Sequence, residues 1–226
     1  MEIFKQIAPL KAYLKSRKQQ GKTIGLVPTM GALHTGHLQL IRAAKSENDL
    51  AVSTIYVNPT QFNNASDLQK YPRLPDEDTK MLAAAHCDVL FCPDDHEMYP
   101  EQSILNIDFG PLNNIMEGKY RPGHFSGVAL VVSKLFNIIE PDNAYFGQKD
   151  WQQVAVINRL VQELKFNVRI QSIPTLREDD GLALSSRNLR MNSEQRKQAS
   201  VFFRALQKAN AALLAAKSVP QVREIV

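Results

Sequence analysis

In the stretch VPTMGALHTGHLQL, Val27 to Leu40, two of the chain's five histidines stand three residues apart with Gly36 between them. An apolar run ends there and a helical pattern begins. A helix N-terminus offers unpaired N–H groups and the positive end of its dipole, so an anion is favoured at that point. Imidazoles at His34 and His37, neutral or protonated, would add hydrogen-bond donors that act most strongly as charge builds at phosphorus. Gly31 and Gly36 let backbone approach a ligand closely. The structural alternative is a turn with two incidental histidines and a helix cap.

Four other segments carry residues of similar use. VNPTQF holds Asn58 and Gln61, and KYRPGHFSGV holds Arg121 and His124. YFGQKDWQQ holds Lys149, Asp150 and Gln153. LREDDGLALSSRN supplies Ser185, Ser186 and Arg187, two hydroxyls and a fork-shaped cation suited to phosphate. Each alone has an ordinary reading: surface amides at Gln61 and Gln153, a helix-stop turn at Ser185 and Ser186. Falling together at one edge of a sheet, they are read as one site.

Periodicity supplies the elements that would place them. TIGLVPT is a buried-strand run, and GHLQLIRAAKSEN is helical, with Leu38, Ile41 and Ala44 or Lys45 on one side. LAVSTIYV is a second strand, ended at Asn58 and Pro59. PDEDTKMLAAAH opens a helix with proline and acids in its first turn. DVLFCP, NAYFG and NVRIQSIP are further strands, ILNIDFG a short extra one, and SGVALVVSKLFNIIE and DWQQVAVINRLVQELKF are helices. Strands alternating with helices predict an α/β, Rossmann-like, doubly wound parallel sheet covered on both faces. Ligands in such sheets bind beyond the carboxyl ends of the strands. The alternation stops after Pro174. We expect a first domain over residues 1–175 and a small α+β second domain over 176–226, incomplete at Val226, with one long helix over 192–217 begun by a capping box of Asn192 and Gln195.

Several classes of function are excluded or disfavoured. A net charge of +4 suits anionic ligands but is too small to argue for nucleic acid. Lys11, Lys15, Lys18 and Lys22 recur opposite Leu10, Tyr13 and Leu14, as on the solvated face of a first helix. MEIFKQIAPL has no secretory pattern, and no apolar run is long enough to span a membrane. Cys87 and Cys92 point to opposite faces of a strand-like run and read as reduced core residues of a cytoplasmic protein. GKT at 21–23 lacks the upstream glycine of a P-loop, since position 16 is Ser16, and no G-x-G-x-x-G follows a strand. No zinc spacing appears, and His86 and His96 have no partner pattern.

Taken together, VPTMGALHTGHL, VNPTQF, YPR, MYP, RPGHFSGV, FGQKDWQQ and LALSSRN resemble the pantoate–β-alanine ligase (pantothenate synthetase) family of the nucleotidylyltransferase superfamily, over nearly all of residues 1–200. The His-x-Gly-His element is shared across the superfamily; VNPTQF with RPGHF and GLALSSRN is far more specific. The resemblance implies that ATP, with magnesium carried on its phosphates, activates (R)-pantoate as pantoyl adenylate, and that β-alanine then displaces AMP. It implies catalytic roles for His34, His37, Lys149 and Arg187. The loop Met30, Gly31, Ala32, Leu33, His34, Thr35, Gly36 and His37 would bind ATP. So would Gly147, Gln148, Lys149 and Asp150 near the ribose, Leu176 and Leu184 near adenine, and Ser185, Ser186 and Arg187 over the outer phosphates. Gln61 and Gln153, with Asn58, Arg121 and His124, would bind pantoate and β-alanine. Glu77 or Asp78 is an auxiliary candidate for magnesium, and a homodimer through the first domain is implied. Many relatives carry glutamate where this chain has Gln148, a departure that lowers negative charge beside Lys149. Two rivals remain: another nucleotidyl transferase on the same core, and a catalytically silent RNA-binding relative.

Overall fold

Six parallel strands form one sheet in the order β1-β4-β3-β2-β5-β6. They are β1 (Glu2–Phe4), β2 (Ile24–Thr29), β3 (Leu50–Ile55), β4 (Val89–Phe91), β5 (Asn143–Gly147) and β6 (Arg169–Ile173). The computed structural model describes residues 1–226, apart from the side chain of Leu189. The longer helices of the sheet unit are α1 (Ile7–Gln19), α2 (Thr35–Glu47), α4 (Pro75–Ala84), α7 (His124–Ile139) and α8 (Trp151–Leu164). Short helices α3 (Ala65–Gln69), α5 (Asp95–Met98) and α6 (Met116–Tyr120) lie in the connections.

Side-chain alternation along each strand divides the core in two. Ile24 and Leu26, Val52, Val89 and Phe91, and Ala144 and Phe146 face one side, with Leu10 and Leu14 of α1, α7, and Ile157 and Leu160 of α8. Val27, Ala51, Leu90 and Tyr145 face the other, with Leu38 and Ile41 of α2 and Leu82 of α4. Both faces being covered is why these strands read as continuous apolar runs. Tyr145 is fully buried, and its hydroxyl is satisfied by donating to Glu47 at 2.8 Å and accepting from Asn48 at 2.8 Å.

The chain separates into two units, Met1–Pro174 and Thr175–Val226. The second holds helices α9 (Ser193–Ala199), α10 (Val201–Leu214) and α11 (Val219–Ile225) and an isolated antiparallel bridge between Arg177 and Ala183.

Two expectations from the sequence are corrected, and one further strand is added. The single helix over 192–217 is two, α9 and α10, meeting at Ser200. Ser200 is buried and its Oγ accepts from Arg204 at 2.9 Å. The capping box does form, Asn192 accepting from the Gln195 N–H at 2.8 Å. ILNIDFG is not a strand: the Ile107 N–H donates to Ser126 Oγ at 2.9 Å, and Asp108 draws the following residues into a 3-10 turn over Gly110–Asn113. The edge strand β1, three residues long, adds to β4 and was not foreseen.

Candidate active site

The sheet reverses direction of growth between β2 and β5. β2 pairs with β3 on one side and with β5 on the other, so the chain leaves both β2 and β5 at one crevice. Such a switch point leaves room for a ligand past the strand ends. The loop after β2 carries Met30 to His34 into α2. The loop after β5 carries Gln148–Asp150, a 3-10 turn, into α8.

His34 is extended (φ −143°, ψ 173°) immediately before α2, and His37 lies one turn in. Their rings are 4.0 Å apart between centroids. The His34 N–H donates to His37 Nδ1 at 3.3 Å, so the hydrogen of a neutral His37 ring sits on Nε2. His34 Nδ1 is buried and has no hydrogen-bond partner among the described residues. Burial lowers both imidazole pKa values, and the Lys149 ammonium lowers them further; for His37, where His34 also contributes, the value falls to about 3. Lys149, carried by the other loop, therefore lies close enough to act on both rings. The site at neutral pH is two neutral imidazoles beside an ammonium, which is exposed and paired with Asp150 at 3.2 Å. Thr35 is exposed, while Gly36, Gly147 and Gln148 are half-buried around this point.

The VNPTQF loop follows β3, next to β2 in the sheet. Gln61 is buried; its Nε2 meets Met30 Sδ at 3.1 Å and its Oε1 accepts from Asn58 at 3.3 Å. Asn58 is committed to the chain: Nδ2 also donates to the Gly127 carbonyl at 3.1 Å, and Oδ1 accepts from the Tyr99 hydroxyl at 3.0 Å. Tyr99 belongs to the MYP motif. His124 Nδ1 lies 2.8 Å from the Gln61 carbonyl and Nε2 lies 3.3 Å from Arg121 Nη1. Arg121 can only donate, so Nε2 accepts and the His124 hydrogen is on Nδ1, bonded to Gln61. Burial, with Arg121 adding to it, lowers the His124 pKa and keeps that neutral tautomer. A Cβ on Gly127 would stand 2.3 Å from the Thr60 carbonyl oxygen, so only glycine lets α7 come this close to the loop. RPGHFSGV thus acts on the backbone of Gln61. On α8, Gln153 is half-buried and its side chain makes no hydrogen bond to the described residues, whereas its neighbour Gln152 is buried and holds the carbonyls of Leu112 and Ile115.

In the second unit, the Leu184 N–H donates to the Leu176 carbonyl at 3.1 Å, closing a turn that Gly181 makes at φ +88°. Ser185 accepts from the Arg187 N–H at 3.3 Å and opens the 3-10 turn Ser186–Arg190. Ser186 is nearly buried and the Arg187 side chain exposed.

Among the described residues no group of three or more imidazoles, thiols and carboxylates is arranged to hold a metal ion. Asp78, an auxiliary magnesium candidate from sequence, is turned inward with both oxygens on backbone N–H groups. Its role was not foreseen, although a signal existed: Asp78 falls in line with Leu82, on the buried face of α4, and with Ala85 just past its end.

The chain matches the Pantoate-beta-alanine ligase family over residues 2–225. It is 54% identical over 196 residues to a pantothenate synthetase of Porphyromonas gingivalis, covering 87% of this chain and 70% of that one. With the pantothenate synthetase of Carboxydothermus hydrogenoformans it shares 48% over 222 residues, 98% of this chain and 78% of the relative. The solved pantothenate synthetase of Thermus thermophilus superposes with a TM-score of 0.93 at 43% identity, over 98% of this chain and 79% of that chain. The pantoate-beta-alanine ligase of Francisella tularensis, solved in complex with beta-gamma ATP and beta-alanine, superposes with a TM-score of 0.87 at 45% identity, over 92% and 79% of the two chains.

Proposed function

Because the chain belongs to the pantoate–β-alanine ligase family, we propose that the crevice between β2 and β5 carries out the ATP-dependent condensation of (R)-pantoate with β-alanine. A pantoate carboxylate oxygen attacks the α-phosphorus of ATP; the bond to the bridging oxygen breaks and diphosphate leaves. The β-alanine amine then attacks the acyl carbon of pantoyl adenylate, and AMP departs, giving pantothenate. Adenylation turns a poor acyl donor into one with a good leaving group, and phosphoryl-type transfer needs mostly positioning and charge neutralisation.

The roles follow from chemistry. His34 and His37 donate to the triphosphate, His37 through Nε2–H. Lys149 exchanges Asp150 for the α-phosphate and the departing diphosphate as a point charge. Asp150 and Gly147 then serve the ribose. Within the second unit, Ser185, Ser186 and Arg187 offer two hydroxyls and a guanidinium suited to phosphate oxygens. Gln153 and the Gln61 side chain take pantoate, while Asn58, Arg121 and His124 hold Gln61 in place. The donors at the crevice suit phosphate oxygen rather than a metal, so we assign magnesium to the phosphates, where it supplies charge neutralisation. Homodimerisation is supported by exposed apolar side chains of the first unit, Ile104 (98% exposed), Leu105, Met116 and Tyr120, and a cytoplasmic location by the free thiols Cys87 and Cys92.

What supports this reading is that Lys149, from the loop after β5, acts electrostatically on both His34 and His37, from the loop after β2 and the start of α2. Pantoate-dependent exchange between ATP and diphosphate, without β-alanine, tests it. Exchange with other acids and never with pantoate refutes the ligase; salt-sensitive RNA binding without any exchange points to the silent relative.

A further inference from the structure

The loop Met30 to Leu33 is in an unusual conformation that its own residues do not explain. Gly31 has φ +80° and Ala32 has φ +48°. Glycine takes the left-handed region freely, but alanine there costs about 1–2 kcal/mol and persists only where surroundings enforce it. The enforcing group is Asp78, from the first turn of α4. Its side chain is 1% exposed; Oδ2 accepts from the Ala32 N–H at 2.9 Å and Oδ1 from the Leu33 N–H at 2.7 Å. Thr29 Oγ1 accepts from the preceding N–H, that of Gly31, at 3.2 Å. Successive N–H groups in left-handed backbone form a concavity that binds anions. Here the chain fills that concavity with its own carboxylate. A Cβ at Gly31 would come 2.9 Å from Asp78 Oδ2 and 3.1 Å from Ile55 Cγ2, so the carboxylate also leaves room for glycine alone.

We propose that Asp78 is a positioning residue for the nucleotide site. Its buried carboxylate fixes the left-handed step at Gly31 and Ala32, and thereby fixes where His34 begins α2 and where the two imidazoles stand. A corollary is that the Ala32 and Leu33 N–H groups do not meet the triphosphate, which is left to the imidazoles, Lys149 and the first turn of α2. Burial pushes the Asp78 carboxyl up, and the N–H bonds from Leu33 and Ala32 pull against it. The two short bonds to a charged acceptor are the stronger kind, and leaving either N–H unpaired in this dry position is unfavourable.

The inference rests on the proposed function for its kinetic half, but its structural half stands alone. Asp78→Asn keeps volume and removes the charge, and places an NH2 group against one of the two N–H donors. Amide hydrogen exchange of Ala32 and Leu33 in the whole chain is the first measurement. Protection of both should fall at least tenfold in the variant while strand amides of β2 and β3 keep theirs; equal protection in the two proteins overturns the proposal. Kinetics form the second, at a temperature where both proteins are folded. Exchange kcat should fall about 10–100-fold with pantoate KM within about threefold, the pattern expected when donors are displaced from a transition state. A merely structural role would lower the melting temperature and leave kcat of the folded fraction within twofold, and that result also overturns it. Asp78→Glu, which keeps the charge, should recover kcat above Asp78→Asn; no recovery counts against the charge being the cause. If wild-type protein shows no exchange with pantoate, the ligase reading fails, and the amide protection result still decides the role of Asp78.

Discussion

Acidification should destabilise the first unit through His37, by an amount that can be worked out. An unfolded histidine has a pKa of 6.5, and in the folded chain His37 falls to about 3. The unfolded state therefore binds a proton that the folded state refuses. By linkage, stability is full above pH 6.5 and is lost progressively as pH falls toward 3. At about 1.36 kcal/mol per pH unit, the loss between pH 6.5 and 5 is about 2 kcal/mol. That is an upper value, because His37 is only half-buried. For a chain of this size it corresponds to about 4–8 °C of melting temperature. Thermal melts of wild type and of His37→Gln at pH 8 and pH 5 provide the assay. The variant should lose several degrees less than wild type over the same interval. Asp78 acts in the opposite sense, since a carboxyl raised in the folded state favours folding as pH falls, but it is common to both proteins and cancels in the difference. Equal losses in the two proteins would show that His37 is not held neutral, and the reasoning about neutral donors at the helix mouth would be wrong.

Other outcomes follow from the same geometry. Lys149→Met should lower pantoate-dependent exchange by about 10²–10³ with an unchanged melting temperature, since Lys149 is exposed and its pairing with Asp150 is a surface one. Gly127→Ala drives a Cβ into the Thr60 backbone; a destabilisation of about 1–3 kcal/mol, read by urea unfolding, should come with a raised pantoate KM. Gln153→Ala should raise pantoate KM and leave nucleotide affinity, measured with a non-hydrolysable ATP analogue, close to wild type. Burial pushes the Cys87 thiol up to about 11, so iodoacetamide at pH 8 should label it only after denaturation.

What the sequence made legible was set by how locally each feature is specified. Strands covered on both faces show as apolar runs, and β2, β3, β5 and β6 each fall within the stretches read as strands. A helix start with proline and acids is a local signal, and α4 begins at Pro75 as read. ILNIDFG has the composition of a strand, but composition carries no information about a partner, and Ser126 and Asp108 satisfy its backbone instead. Ser200 divides α9 from α10 where periodicity alone runs straight through, since serine competes for backbone hydrogen bonds locally. β1 is too short for any period to register.

The site residues divide along a different line. A motif read from sequence marks a residue without saying whether its polar atoms face a ligand or the chain, and only the hydrogen-bond inventory tells these apart. Asn58 has donors and acceptor both committed, to Gln61, Gly127 and Tyr99. His124 has its two ring nitrogens between Gln61 and Arg121. Neither has capacity left that a substrate could use without breaking those bonds. His37 uses one nitrogen within the chain and keeps the other, and Gln153 keeps its whole amide among the described residues. A side chain with unused capacity beside a desolvated crevice is where binding free energy can be gained, because an unpaired polar group there is costly until a ligand pairs it. That is the physical reason to look for substrate at His34, His37, Lys149 and Gln153, and to expect variants at Asn58 and His124 to act through Gln61.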